Sequence, residues 1–130
     1  MWGPHGRAFN HGVVEPEGRV LHVTGQVAWD ADSVVIYPGD FEAQIRKCFD
    51  NVERVLAEVG GNLDDLVSLT VYFTDPAQLP SIQKVRAEKL SANTAPVSIL
   101  IQIPGLVHPD LLVELVPVAV IPFDRYHDPR

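Results

Sequence analysis

Asp40–Gly61, DFEAQIRKCFDNVERVLAEVGG, is the longest strongly periodic stretch of the chain. Phe41, Ile45, Cys48, Phe49, Val52, Val55, Leu56 and Val59 recur at steps of three and four, which sets them along one side of a helix of about 3.6 residues per turn. The other side is charged. Glu42 precedes Arg46, and Asp50 precedes Arg54, by one turn in the acid-first order, an arrangement worth only about 0.2–0.5 kcal/mol per pair. The helix must therefore be stabilised by packing, and the rest of the chain reads as a sheet that covers its apolar stripe. Asp40 is placed to accept backbone N–H bonds at the first turn, and Gly60-Gly61 supplies a left-handed residue at the end.

Upstream, Phe9–Val14 and Arg19–Val27 read as two strands of a hairpin joined by Glu15-Pro16-Glu17-Gly18. In the second strand Val20, His22 and Thr24 alternate with Leu21, Val23 and Gly25, so small residues end it and leave room beside the backbone. Trp29–Gly39 is a loop with a short apolar run, Val34–Tyr37, that is too brief to assign. Downstream, Leu66–Thr74 is rich in β-branched and aromatic residues, as expected of an interior strand, and completes a strand–helix–strand crossover. Asp75-Pro76 breaks it. Pro80 suits the first turn of a second helix that runs to about Leu90. Ile82, Arg86 and Leu90 lie at steps of four on that helix, so a guanidinium falls on or beside the buried stripe. The plain expectation is that its stem packs while its head reaches water.

Val97–Ile103 is a further strand, with Val97, Ile99, Ile101 and Ile103 on one face and Ser98, Leu100 and Gln102 on the other. After the loop Pro104–Asp110 comes Leu111–Ile121, nearly continuous apolar β sequence with one charge, Glu114, and one proline, Pro117, which demands a bulge or an unpaired edge. Glu114 shares its face with Leu112, Val116, Val118 and Val120. A carboxylate there must be paired, hydrogen-bonded or neutralised by a raised pKa, and a neutral carboxylic acid can move protons near neutral pH. An exposed or ion-paired structural glutamate is the competing reading.

With 130 residues, 46% of them hydrophobic, the chain fits one domain spanning 1–130, with a core at about 9–121, arms at 1–8 and 122–130, and a loosely ordered C-terminal tail. A net charge of -7, from 17 acidic residues against 10 Lys and Arg, opposes attraction to nucleic acid or an anionic membrane surface, so neither partner is expected. Cys48 is the only cysteine and lies on the helix stripe, as a small buried hydrophobe. No apolar run spans a membrane and Met1–Asn10 lacks a signal-peptide core, so a cytoplasmic location is expected. The histidines, His5, His11, His22, His108 and His127, lack the spacing of a metal site, and no phosphate-binding glycine loop or nucleophile elbow is present.

Val23-Thr24-Gly25-Gln26, Gln44 with Asp50-Asn51-Val52, Thr70–Asp75 and Val113-Glu114 with Val118-Ala119-Val120 together resemble the RidA/YjgF family of reactive-intermediate (enamine and imine) deaminases, also annotated endoribonuclease L-PSP. Their order and spacing match from about Phe9 to Val120. The resemblance implies an α+β, chorismate-mutase-like fold with a mainly antiparallel sheet and two helices on one face. It also implies a homotrimer with ligand clefts between subunits, and hydrolysis of small enamines or imines without metal or organic cofactor. Carried over residue by residue, Glu114 is the acid/base and Thr24 joins it as a catalytic residue. Phe9 and Gly25 line the cleft.

One departure is plain. The family's Pro-Ala-Arg-Ser motif corresponds to Pro96-Val97-Ser98-Ile99, with Ser98 where an arginine binds the substrate carboxylate, and Leu100 stands for the usual cysteine. A hydroxyl cannot replace that charge-assisted fork. Ser98, Leu100 and Arg86 are retained as candidate substrate-binding positions. Two readings follow: a hydrolase whose substrate is not a simple 2-imino acid, or a ligand-binding or regulatory trimer that has lost activity. A structural Arg86–Glu114 ion pair is the rival to a catalytic Glu114.

Overall fold

The structure, a computed structural model, describes residues 1–130 and contains six principal elements. These are β1 (Arg19–His22), α1 (Phe41–Ala57), β2 (Leu66–Phe73), α2 (Leu79–Lys89), β3 (Val97–Gln102) and β4 (Val113–Ile121). The sheet order is β1-β4-β2-β3. The two ladders made by β4 are antiparallel and β2 runs parallel to β3, so the α+β expectation of a mainly antiparallel sheet holds. β2, α2 and β3 form a direct parallel crossover. The crossover through α1 is split, because β4 lies between β1 and β2.

Both helices cover one face. The stripe of α1 buries Phe41, Ile45, Cys48, Phe49, Val52 and Leu56 against Leu69, Val71, Leu115 and Ala119 of the sheet, with Ile82 and Val85 of α2 in the same core. Burying each of these large side chains is worth about 1.5–3 kcal/mol, far more than any surface pair on the helix. Asp40 accepts from the Ala43 amide at 3.1 Å, and Gly60 takes φ +84° just beyond the helix end. Glu42 meets Arg46 at 3.2 Å, but Asp50 turns to Lys89 of α2 rather than to Arg54.

The N-terminal hairpin is not formed. Phe9–Val14 enters no ladder, and β1 pairs only with β4, Arg19 opposite Ile121. Asn10 shows why: its amide donates to the Pro96 carbonyl at 3.0 Å and its side chain to the Ala95 carbonyl at 2.7 Å, which holds the arm against the start of β3. The C-terminal tail is likewise docked rather than loose. Arg125 forks onto the buried Asp65 at 3.0 and 2.6 Å, Tyr126 packs on the core, and the His127 amide donates to the Val59 carbonyl. Asn62 and Asp65 close a reciprocal cap in the turn before β2, so one carboxylate serves both the turn and the tail.

Candidate functional site

The sheet face away from the helices carries Glu114. On that face Tyr72 pairs with Glu114 on one side and Ile101 on the other, with Val116 and Val118 further along β4. Pro117 decides the geometry beside it. Its carbonyl accepts from the Val23 amide, so its missing N–H also points toward β1, where regular pairing ends at His22–Val118. Pairing resumes at Gln26–Leu115, with amide–carbonyl bonds of 2.8 and 3.0 Å. Val23, Thr24 and Gly25 thus face only Val116 and Pro117, a bulge that offers no ladder partner for the proline to lack.

That bulge holds Gly25 against the carboxylate. A Cβ at Gly25 would lie 2.6 Å from Glu114 Oε2 and 2.8 Å from its Cδ, so only glycine leaves the carboxylate this space. The exposed Thr24 flanks it. Two residues of α1 brace the surroundings. Asn51 Nδ2 donates to the Val27 carbonyl at 3.2 Å. Gln44, fully buried, donates to the Tyr37 and Asp110 carbonyls at 3.2 and 2.9 Å and accepts from the Leu112 amide at 2.9 Å. The loop 104–110 is so tied at its end, and with Tyr72, Ile103 and Glu114 it borders a hollow of about 350 Å³ lined by Gly105, Leu106 and Val107. Partial burial raises the Glu114 carboxyl above the usual carboxylate range. Its charge is also felt through the sheet: burial first, and Glu114 second, push the Cys48 thiol up to about 12, which leaves it protonated and unreactive.

The remaining candidates gather elsewhere. Ser98 is opposite Leu69 and Leu100 opposite Val71, so both lie on the helix side of β3, across the sheet from Glu114. There Arg86 Nη1 donates to Ser98 Oγ at 2.6 Å. The Arg86 head does not reach water as expected: the residue is 2% exposed, because the N-terminal arm folds over it. Its guanidinium stands 5.6 Å from the Phe9 ring centroid, and the guanidinium of Arg7 stands 5.5 Å from the same ring. Trp2, Arg7, Phe9, Gln83, Arg86, Ser98 and Leu100 enclose a hollow of about 190 Å³. Within one chain an Arg86–Glu114 ion pair does not form, since the two side chains occupy opposite faces of the sheet.

Phe9, Arg86, Ser98 and Leu100 are thus brought together, as are Gly25, Thr24 and Glu114, but the two groups are not joined within one chain. Trp2, Arg7 and Gln83 escaped sequence reasoning. Aromatic residues at Trp2, Phe9 and His11 in an otherwise Gly- and Pro-rich arm were the available signal, and their rings do form a cluster with centroids 4.4–6.0 Å apart.

Residues 5–121 match the sequence profile of the family described as endoribonuclease L-PSP. Among solved structures, a Rid-family protein of unknown function from Yersinia pestis superposes with TM-score 0.82 at 29% identity, covering 93% of this chain and 92% of that one. A YjgF-family member from Mycobacterium tuberculosis gives 0.69 at 25% identity, covering 82% of each chain. A RidA from an Antarctic Psychrobacter has the same fold, with TM-score 0.72 at 23% identity over 89% of this chain and 95% of that one.

Proposed function

Since this chain belongs to the endoribonuclease L-PSP (RidA/YjgF) family by its match over residues 5–121, we propose that it is a small-molecule hydrolase acting on an enamine, imine or related reactive intermediate, with Glu114 as the acid/base. The observation that carries this reading is a carboxyl group without a cationic partner, its pKa raised by burial, seated against Gly25 at the edge of an open hollow. Such a group is protonated over a wider pH range than an ordinary glutamate and is matched to proton transfer nearer neutrality.

The residues supply a balanced sequence. Neutral Glu114 protonates the enamine carbon, which makes an iminium and leaves a carboxylate. Water attacks the iminium carbon and gives its proton to that carboxylate, forming a carbinolamine. Glu114 then protonates the amine nitrogen, ammonia departs, and the hydroxyl proton returns to the carboxylate as the carbonyl forms. No metal or organic cofactor enters these steps. In this reading the hydroxyl of Thr24, an exposed residue next to Gly25, orders water or substrate. Ammonia release from a panel of enamines and imines, with and without a carboxylate, tests the proposal. Glu114→Gln keeps the shape and should lower kcat about a hundredfold or more. Unchanged turnover in that variant would remove Glu114 from the mechanism.

A second reading, a ligand-binding or regulatory trimer without activity, is favoured by Ser98 in the arginine position. On either reading the complete cleft requires a neighbouring copy to bring the β3 group of one subunit to the Glu114 group of another. The partner is then a small molecule, with nucleic acid and membrane disfavoured by the charge of -7. No helix is long and apolar enough to cross a membrane.

A further inference from the structure

Arg86 is an unusual group to bury. At 2% exposure it has no carboxylate partner anywhere in the chain, its Nε is buried without any hydrogen-bond acceptor, and its one bond goes to a neutral hydroxyl, Ser98 Oγ. Buried charges are ordinarily paired, and buried donors are ordinarily satisfied. Burial, and the nearby charge of Arg7, together hold its pKa below the ordinary arginine value. The two cations are brought together over one Phe9 ring, and the hollow they border contains no acidic residue in a chain that carries 17. Arg7 is held in place by its own arm, with Nε donating to the Pro4 carbonyl at 2.7 Å.

We propose that Arg86, with Arg7 beside it, forms an anion site for a small carboxylate with a flat apolar body, the carboxylate meeting the guanidiniums and the body lying against Trp2, Phe9 and Leu100. The proposal rests on reading Phe9, Ser98 and Leu100 as ligand-lining. It reverses the expectation that Ser98 abolishes carboxylate recognition. The charge missing from strand β3 is supplied by helix α2, twelve residues earlier, and Ser98 serves as the acceptor that orients it. A guanidinium with one N–H committed to a hydroxyl keeps further donors for a forked contact, whereas a lysine in that place would present only a point charge. A hollow of about 190 Å³ admits a group the size of one aromatic or branched aliphatic acid, not a nucleotide.

Ligand-observed 19F NMR of the full chain with 4-fluorobenzoate and the neutral 4-fluorobenzamide provides the test without any turnover. The expected result is saturable benzoate binding at least tenfold tighter than the amide, lost by tenfold or more in Arg86→Met, reduced several-fold in Arg7→Gln, and weakened by salt. Equal binding of acid and amide, or unchanged benzoate binding in Arg86→Met, would overturn the site. If Arg86→Met does not fold, Arg7→Gln decides in its place: several-fold weaker binding supports the site and unchanged binding overturns it. Benzoate binding that survives in an inactive Glu114→Gln protein keeps this inference separate from the hydrolase reading. Turnover of carboxylate-free substrates alongside absent benzoate binding would sink the anion site and leave the hydrolase intact.

Discussion

Glu114 and Arg86 are both charges taken from water, and the chain treats them differently. Glu114 keeps an open side and a neighbour that is only backbone, so its burial shows as a raised pKa and not as a demand for a partner. The sign of the resulting pH effect is fixed. A carboxyl whose folded pKa exceeds its unfolded value binds its proton more tightly when folded, so its contribution to stability is complete below the unfolded value near 4.5 and is lost as pH rises through the folded value. Replacing it with glutamine removes that loss. Thermal melts of Glu114→Gln and the parent should therefore agree at pH 4, and the variant should melt at the same or a higher temperature at pH 8. A large fall in the variant's Tm at pH 8 would mean that the carboxylate is a structural partner and not a free acid. Arg86 of the same chain, on the opposite face, is not available to be that partner, so such a fall would point to a cation from a neighbouring copy.

At the scale of elements, Gly25 shows how a strand irregularity shapes a site. Three residues opposite two, with a proline across from them, give a bulge whose glycine makes room for a carboxylate. Gly25→Ala puts a methyl within 2.6 Å of Oε2, and since that atom ends a flexible side chain, the carboxylate will move and the backbone will not. The variant is expected to fold with a Tm near the parent's while kcat falls at least tenfold; full activity would show that the carboxylate position is not used. The helices, four of the five expected strands and Pro117's bulge were legible because their signals are local, namely periodicity, β-branched runs and a missing donor, although the strand expected over Arg19–Val27 ends at His22. The strand partners were not. Phe9–Val14 alternates well enough to suggest a strand, but strand existence depends on an available edge, and Asn10 commits that backbone to Pro96 and Ala95. The tail was misread for the same reason, since Arg125 finds Asp65 sixty residues away and no sequence period encodes such a pair. Arg86 was visible as a misplaced charge on a helix stripe, but its burial depends on an arm whose path the sequence does not reveal.

For the whole molecule, the uncovered face of the sheet is the outstanding feature. The helices bury the face of Leu69, Val71, Leu115 and Ala119, while the other presents Val20, Ile99, Ile101, Val116 and Val118, with Ile99 48% and Val20 45% exposed. β2 adds Ser68, Thr70 and Tyr72 between these groups, but so many exposed aliphatic side chains on one sheet face are uncommon on a monomer and ask for a second layer. The chain supplies no third helix, so the cover we propose is other copies in a closed ring of three, an arrangement that would set the β3 edge of one subunit beside the Glu114 face of the next. Sedimentation equilibrium at micromolar protein should give three times the chain mass of 14.3 kDa, with no dependence on salt strong enough to imply a charge-held assembly. Ile99→Glu and Val118→Glu place a carboxylate on that face, where pairing is absent and desolvation is costly, and should shift the protein to monomer while far-UV circular dichroism stays unchanged. Because the two halves of the cleft would then be parted, those monomers should lose any turnover and yet retain 4-fluorobenzoate binding in the Arg86 hollow, which a single chain completes. A parent protein that sediments as one chain would refute both the ring and the shared cleft, and the Glu114 and Arg86 groups would then have to act as separate sites.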